Sequence, residues 1–145
     1  KVPPELIEIE ITETAVFADF PEIVRMLRWL RDQGLSIQID DFGTGYSSLM
    51  YIQQIPANGI KIDQTFIRSM VRGEKNLEIV TASIGLAHSL GMKVVAEGVE
   101  DQATLDLLRA IHCDAAQGYH ICRPLPADEL EAFLHGQVVK PALRA

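Results

Sequence analysis

Acidic, basic and amide side chains recur at the carboxyl ends of five short β-rich segments in this 145-residue chain. Residues two apart lie on the same face of a strand, so the last polar residues of these segments can share one face of a sheet. Ligand sites of parallel α/β folds lie at the carboxyl ends of the strands. We therefore expect one site to be formed by side chains that are far apart in sequence, namely Glu10, Asp40, Asp41, Lys61, Glu97 and Gln117.

Clustered carboxylates of this kind indicate a site for divalent cations. Such groups repel one another, which raises their pKa values unless cations lie between them. Hard oxygen ligands favour Mg²⁺ or Mn²⁺ over zinc. The adjacent residues Asp40 and Asp41 can serve neighbouring ions, because one points inward and the next can reach from the loop. Lys61 has two interpretations, an internal salt bridge or a contact with a water or phosphate oxygen.

A less specific explanation applies to any one of these acids, which is a helix cap or an exposed loop position. Five strands that each end in a polar group are harder to explain by capping alone. Other motifs indicate no different chemistry: the glycine-rich turn at 43–45 fits neither a dinucleotide fingerprint nor a P-loop, and Ser47 and Ser48 lack the context of a serine nucleophile. Cys113 and Cys122 match no zinc spacing, so we expect free thiols in a cytoplasmic protein.

The composition excludes several classes of protein. A net charge of −7 without a basic stretch argues against binding to a nucleic acid polymer. There is no run of 18 apolar residues, so we expect no membrane-spanning helix in this segment, and no secretory signal opens it. A hydrophobic fraction of 48% is enough for the core of one domain.

The strands and helices that position these residues are predicted from an alternation of β-rich and helical runs in the sequence. We predict strands at 6–12, 35–40, 59–63, 93–97 and 114–119, and helices at 20–33, 47–54, 64–71, 76–90, 101–111 and 127–134. Five βα units in series imply a parallel sheet with right-handed crossovers. An open doubly wound sheet would fit, but we favour part of an α/β (β/α)₈ barrel. A complete barrel takes about 250 residues, so this chain would supply about five of the eight units.

Five blocks of residues occur in an order that is characteristic of one family. They are Glu8-Ile9-Glu10-Ile11-Thr12-Glu13, Asp40-Asp41-Phe42-Gly43-Thr44-Gly45-Tyr46-Ser47-Ser48, Lys61-Ile62-Asp63, Glu97-Gly98-Val99-Glu100 and Gln117-Gly118-Tyr119. With these blocks, over about 130 residues, the chain resembles bacterial EAL domains, which are phosphodiesterases that linearise cyclic di-GMP. The resemblance implies a TIM-like barrel, of which residues 1–145 form the carboxyl-terminal portion, while the upstream part with the Glu-Ala-Leu motif lies outside this chain.

The resemblance also implies a metal site. It implies that cyclic di-GMP is hydrolysed to linear pGpG with the help of two Mg²⁺ or Mn²⁺ ions, which activate a water and stabilise the leaving oxygen. Glu10 and Asp40 would be ligands of the first ion. Asp40, Asp41 and Glu97 would complete the side of the second ion.

Further roles in catalysis and substrate binding are implied in the same way. Lys61 would contact the attacking water, and Glu97 would act either as the base or as metal support, an alternative that stays open. Glu13 would brace the loop after Asp41, which couples the site to dimerisation. The expected substrate-binding residues are Asp63, Gln117 and Gly118.

The resemblance also implies an oligomeric state and a domain context for the parent protein, and it leaves one rival function open. We expect a homodimer, fused to upstream sensory or GGDEF domains, in a parent protein that upstream segments can anchor to a membrane. The rival function is a catalytically inactive EAL-like receptor of cyclic di-GMP or an interaction scaffold. We expect weak or absent activity from residues 1–145 alone, because missing strands would leave two sheet edges unpaired and an apolar interior exposed.

Overall fold

One parallel sheet organises the chain in the computed structural model, which describes residues 2–16, 18–45, 49–71 and 73–136. Its strands lie side by side in chain order, without the reversal that creates the switch point of a doubly wound sheet. This order is that of an arc of a (β/α)₈ barrel. The strands are β1 (Glu8–Thr12), β2 (Ser36–Phe42), β3 (Gly59–Ile62), β4 (Lys93–Ala96) and β5 (Ala115–Ala116).

Helices connect the strands. They are α1 (Glu13–Val16), α2 (Phe20–Asp32), α3 (Leu49–Ile52), α4 (Gln64–Met70), α5 (Glu74–Ser89), α6 (Gln102–Ala110) and α7 (Ala127–Gly136), with a 3₁₀ helix at Pro4–Leu6. The sequence analysis did not predict α1 or the 3₁₀ helix. The predicted helix at 47–54 begins outside the described residues, and β5 is much shorter than the predicted strand at 114–119.

The apolar residues of β2 and β3 lie on one face of the sheet and pack against the helices. Ile37 and Ile39 of β2 and Ile60 and Ile62 of β3 are at most 2% exposed. They belong to one buried cluster with helix residues such as Leu27, Ile67, Val80 and Leu108. Alternation of side chains along each strand therefore gives the helix layer one continuous apolar surface.

The opposite face of the sheet carries polar side chains, which corrects the expectation of an exposed apolar interior. Glu10, Gln38 and Gly59 are neighbours in the strand register, and Lys61 lies one step further along the same face. Below them, Gln38 Nε2 donates a hydrogen bond to Glu8 Oε2 at 3.0 Å. This face therefore offers charge and hydrogen-bonding groups where the helix-covered face offers only apolar contacts.

The absence of a side chain at residue 59 leaves room for this polar layer. A Cβ atom at Gly59 would collide with Gln38 Oε1 and lie 2.7 Å from the carbonyl oxygen of Lys93. The amide of Gln38 can rotate away, but the backbone of β4 cannot. We expect Gly59→Ala to lower the free energy of unfolding by about 1–3 kcal/mol, the cost of overpacking.

Urea denaturation of Gly59→Ala and Gly85→Ala measures this effect with a matched control. A Cβ at Gly85, inside α5, meets no atom within 4 Å. Alanine has the higher helix propensity, so Gly85→Ala should raise the free energy of unfolding by up to about 1 kcal/mol. Equal stability of Gly59→Ala and the wild type would contradict the role given to Gly59.

Candidate functional site

Lys61 lies at the centre of the candidate site. Its Nζ is 2.8 Å from Glu10 Oε1, 3.4 Å from Asp40 Oδ1 and 2.8 Å from Glu97 Oε1. Its side chain is only 8% exposed. The acids come from β1, from β2 and from the position just after β4. The sheet thus brings together residues that are separated by up to 87 positions, since strands that are neighbours in the register end at one edge.

The acids keep Lys61 in its charged form. Burial alone would lower the pKa of Lys61, but hydrogen bonds from Nζ to Glu10 and Glu97 and the charges of Glu97 and Asp40 outweigh it, and the pKa is raised above its usual value. Lys61 is therefore an ammonium at neutral pH. It can donate hydrogen bonds and stabilise negative charge, but it cannot accept a proton.

A second group of carboxylates meets beside the lysine. Asp40, Asp41 and Glu97 each offer a carboxylate oxygen, and these atoms all lie within 4.8 Å of one another. Consecutive strand residues normally point to opposite faces. Here the β2–β3 register shifts between Ile39 and Phe42, and Asp41 has a positive φ of 53°, so Asp40 and Asp41 can serve the same site.

The electrostatics of this group fit a divalent cation. Burial raises the pKa of Asp41, repulsion from Asp40 and Asp63 raises it further, and the charge of Lys61 offsets part of the rise. Asp40 Oδ1 is buried and accepts no hydrogen bond from the described residues, although Lys61 Nζ lies 3.4 Å away. A set of hard oxygen donors with excess negative charge is suited to a divalent cation.

Glu10 stands apart from the three carboxylates that meet most closely. Its side chain is 46% exposed and reaches the cluster through Lys61. In the strand register, Glu10 lies beside Gln38, one step before Asp40 on the same face. Of the ligands expected for the first ion, Asp40 thus lies within the compact carboxylate group and Glu10 at its margin.

Glu13 supports the loop that follows Asp41. The side chain is 3% exposed, although it is acidic. Glu13 Oε2 accepts hydrogen bonds from the backbone nitrogens of Gly43 at 3.0 Å and Gly45 at 3.4 Å. This is the geometry of a brace, since a carboxylate with these two donors ties the loop to the first turn after β1.

The three expected substrate-binding residues have different surroundings. Gln117 Nε2 donates a hydrogen bond to Glu97 Oε1 at 2.6 Å, and Gly118 lies next to it in the wall of a cleft. Asp63 caps α4, because its Oδ1 accepts from the backbone nitrogen of Thr65 at 2.9 Å and from the Thr65 hydroxyl. Its charge also contributes to the raised pKa of Asp41.

The cleft has a volume of about 650 Å³ and opens next to Glu97 and Gln117. Its wall includes Arg68 and Glu100, which the sequence analysis did not select. Glu100 was within reach of that analysis, since it ends one of the matching blocks. Arg68 had no signal of its own, because its spacing in α4 is that of an ordinary exposed helix residue.

Comparison with known proteins places this geometry in a family. A model of the EAL domain matches residues 1–124. The cyclic di-GMP phosphodiesterase NbdA of Pseudomonas aeruginosa is 44% identical over 128 residues, which are 88% of this chain and 16% of that protein. This chain therefore spans only a small part of such a relative.

Solved structures show the same fold. The PaMucR phosphodiesterase in complex with c-di-GMP matches with a TM-score of 0.85 and 39% identity, over 89% of this chain and 52% of that one. BlrP1 of Klebsiella pneumoniae, in complex with manganese and cy-diGMP, matches with a TM-score of 0.79 and 33% identity, over 85% of this chain and 31% of that one. These likenesses confirm the predicted TIM-like α/β fold. In the described residues, every helix is too short or too polar to cross a membrane.

The raised pKa of Asp41 predicts how the site responds to pH and metal. A carboxyl with a raised pKa holds its proton more tightly when folded, so its ionised form, present at neutral pH, lowers stability. Asp41→Asn removes this charge, and asparagine tolerates the left-handed backbone of residue 41. We expect Asp41→Asn to melt above the wild type at pH 7 in EDTA, and this difference to shrink as pH falls towards 4.

Addition of Mn²⁺ should stabilise the wild type more than Asp41→Asn, since a cation bound by the carboxylates offsets their repulsion. Differential scanning fluorimetry with and without Mn²⁺ measures both effects. Asp32→Asn, on the exposed end of α2, is the matched control and should behave as the wild type. An equal Mn²⁺-induced shift in all three proteins would contradict the assignment of Asp41 to a metal site.

Proposed function

Since this chain belongs to the EAL domain family, we propose that it forms the carboxyl-terminal part of a barrel that hydrolyses cyclic di-GMP to linear pGpG. A water oxygen attacks one phosphorus, the bond to the 3′ oxygen breaks, and the second phosphodiester bond stays intact. The cluster around Lys61, with Asp40, Asp41 and Glu97 beside it, is the observation that carries this proposal.

Divalent ions in this site would be two Mg²⁺ or Mn²⁺, with Glu10 and Asp40 on one side and Asp40, Asp41 and Glu97 on the other. When bound, such ions supply a water of lowered pKa and neutralise charge on the phosphate. The excess of carboxylates over ammonium groups and the buried Oδ1 of Asp40 support this assignment.

Lys61 would orient the attacking water. Its raised pKa keeps it cationic, so it acts as a donor to the water or to a phosphate oxygen and not as the base. Its contacts with Glu10, Asp40 and Glu97 hold the ammonium in place before substrate arrives. Preorganised donors of this type stabilise developing negative charge without reorganisation.

Glu97 would accept a proton from the water or support a metal ion, and both roles fit its surroundings. Its Oε1 receives hydrogen bonds from Lys61 and from Gln117, which fix one oxygen and leave Oε2 for the reaction. Gln117 would hold Glu97 in place and would also bind the substrate near its phosphate. Asp63 and Gly118 complete the proposed substrate-binding set, Gly118 in the cleft wall and Asp63 at the start of α4.

The regulation and context of the domain are also part of the proposal. Glu13 ties the loop after Asp41 to α1, and movement of that loop would change the position of Asp41. This is the route by which a homodimer would control activity. Fusion to a GGDEF domain is supported by the name of MucR of Pseudomonas aeruginosa, a bifunctional diguanylate cyclase and cyclic di-GMP phosphodiesterase, and fusion to a sensory domain by the name of the oxygen sensor protein DosP of Escherichia coli. We place the domain in the cytoplasm.

Turnover of cyclic di-GMP tests the proposal, in the protein that carries this chain within a complete EAL barrel. Separation of products by liquid chromatography should show pGpG in Mg²⁺ or Mn²⁺ and none in EDTA. Asp40→Asn keeps the size of the side chain but removes its charge, and we expect kcat to fall by about 100-fold or more, because metal and water would be misplaced.

The control for this substitution is Asp32→Asn, which changes an exposed aspartate whose side chain is 68% accessible and should leave kcat unchanged. Tight binding of the dinucleotide by the wild type without any cleavage would refute the enzymatic proposal and support the receptor alternative.

A further inference from the structure

The four residues 97–100 form a turn that leads from β4 to α6 and carries Glu97 at its start. On its β5 side the turn is firmly held. Val99 is fully buried, its backbone nitrogen donates to the carbonyl of Gln117 at 3.1 Å, and its own carbonyl accepts from the backbone nitrogen of His120 at 3.0 Å.

On its α4 side the 97–100 turn has two contacts of a different kind. Gly98 has a φ of 68° and lies so close to α4 that a Cβ would be 2.5 Å from Gln64 Cβ. Beyond it, Arg68 Nη2 donates to Glu100 Oε1 at 2.6 Å. Among the described residues, this is the ion pair that joins α4 to the turn.

Together with the sheet, these contacts form a closed series of linked residues around the catalytic cluster. Lys61 lies on β3, and Asp63, two residues later, caps the start of α4. Arg68 follows on α4 and binds Glu100, which lies three residues after Glu97, and Glu97 returns to Lys61 at 2.8 Å. The Lys61–Glu97 contact is therefore supported at both ends by elements that the Arg68–Glu100 pair joins.

The same pair separates two spaces. Arg68, Gly98 and Glu100 line the cleft of about 650 Å³ and also a second cavity of about 160 Å³ on the side of Thr104. Loss of the Arg68 side chain would open one space into the other. The α4 side of the 97–100 turn would then have room to shift, and Glu97 with it, while Val99 keeps its hydrogen bonds to Gln117 and His120.

We propose that Arg68 is a positioning residue, which holds the 97–100 turn through Glu100 so that Glu97 stays in contact with Lys61 and Gln117. This inference rests on the proposed function for its kinetic consequence and names a residue of that site. Arg68 and Glu100 are 49% and 50% exposed, and an exposed ion pair adds little to folding stability. A small displacement of a reacting group, in contrast, costs much in rate.

The experiment compares Arg68→Gln, Glu100→Gln and the reversed pair Arg68→Glu with Glu100→Arg in the complete barrel. We expect each single substitution to lower kcat for cyclic di-GMP about tenfold with KM changed less than about twofold, since alignment and not binding is lost. The reversed pair should regain most of the rate. Arg68→Lys keeps the positive charge, so its kcat should fall less than that of Arg68→Gln. This comparison decides the matter if the side-chain lengths of the reversed pair prevent its salt bridge from forming.

Binding of Mn²⁺, measured by isothermal titration calorimetry without substrate, gives a second readout. Affinity should fall in both single variants and recover in the reversed pair, while the melting temperature stays close to that of the wild type. Arg109→Gln is the matched control, because Arg109 is also 49% exposed and pairs with Asp106 at 3.0 Å, on a part of α6 outside the cleft.

Two results would overturn the proposal. One is behaviour of Arg68→Gln and Glu100→Gln like that of Arg109→Gln in both rate and Mn²⁺ affinity. The other is a raised KM at unchanged kcat that the reversed pair does not restore, because Arg68 and Glu100 would then contact the substrate directly. If the wild type shows no turnover, the proposed function fails, and the Mn²⁺ affinities alone decide the position of Glu97.

Discussion

The ammonium of Lys61 is the group around which the site is built. Three carboxylates approach it, from Glu10, Asp40 and Glu97, and Asp41 lies beside them. One positive charge cannot balance this set, and repulsion from Asp40 and Asp63 adds to the effect of burial in raising the pKa of Asp41. The fold brings the carboxylates together but does not provide enough positive charge to neutralise them. That imbalance is the physical basis for proposing divalent cations here.

The backbone of β2 contributes as much as its side chains. A regular strand would turn Asp40 and Asp41 to opposite faces. The register shift and the left-handed conformation of Asp41 bring both to one edge, and Glu13 holds the loop that follows. A non-glycine residue with a positive φ carries a conformational cost, and such residues are frequent at functional sites. The acids, the irregular strand and the brace therefore form one unit.

Sequence periodicity was sufficient for the sheet and for the meeting of Glu10, Asp40, Lys61 and Glu97, because alternation along a strand fixes which side chains share a face. It could not show the irregularity at Asp41, which depends on one backbone angle, and it placed that residue in a loop instead of in β2. The four-residue helix α1 was not predicted, because it is too short to display a period, and the strand predicted at 114–119 is only two residues long as β5. The expectation of an exposed apolar interior was wrong for a different reason.

An apolar interior was expected to be exposed because an incomplete barrel lacks the strands that would cover it. Here the aliphatic residues of β2 and β3 all face the helices, and the other face carries Glu8, Gln38 and Lys61 in successive layers. Stability and chemistry are thereby assigned to opposite faces of the same strands. The helix-covered face provides the buried apolar area that holds the sheet together. The polar face does not have to supply buried apolar area, so charge can be concentrated at its carboxyl edge. The repulsion there lowers stability locally, and the packing on the other face offsets this loss.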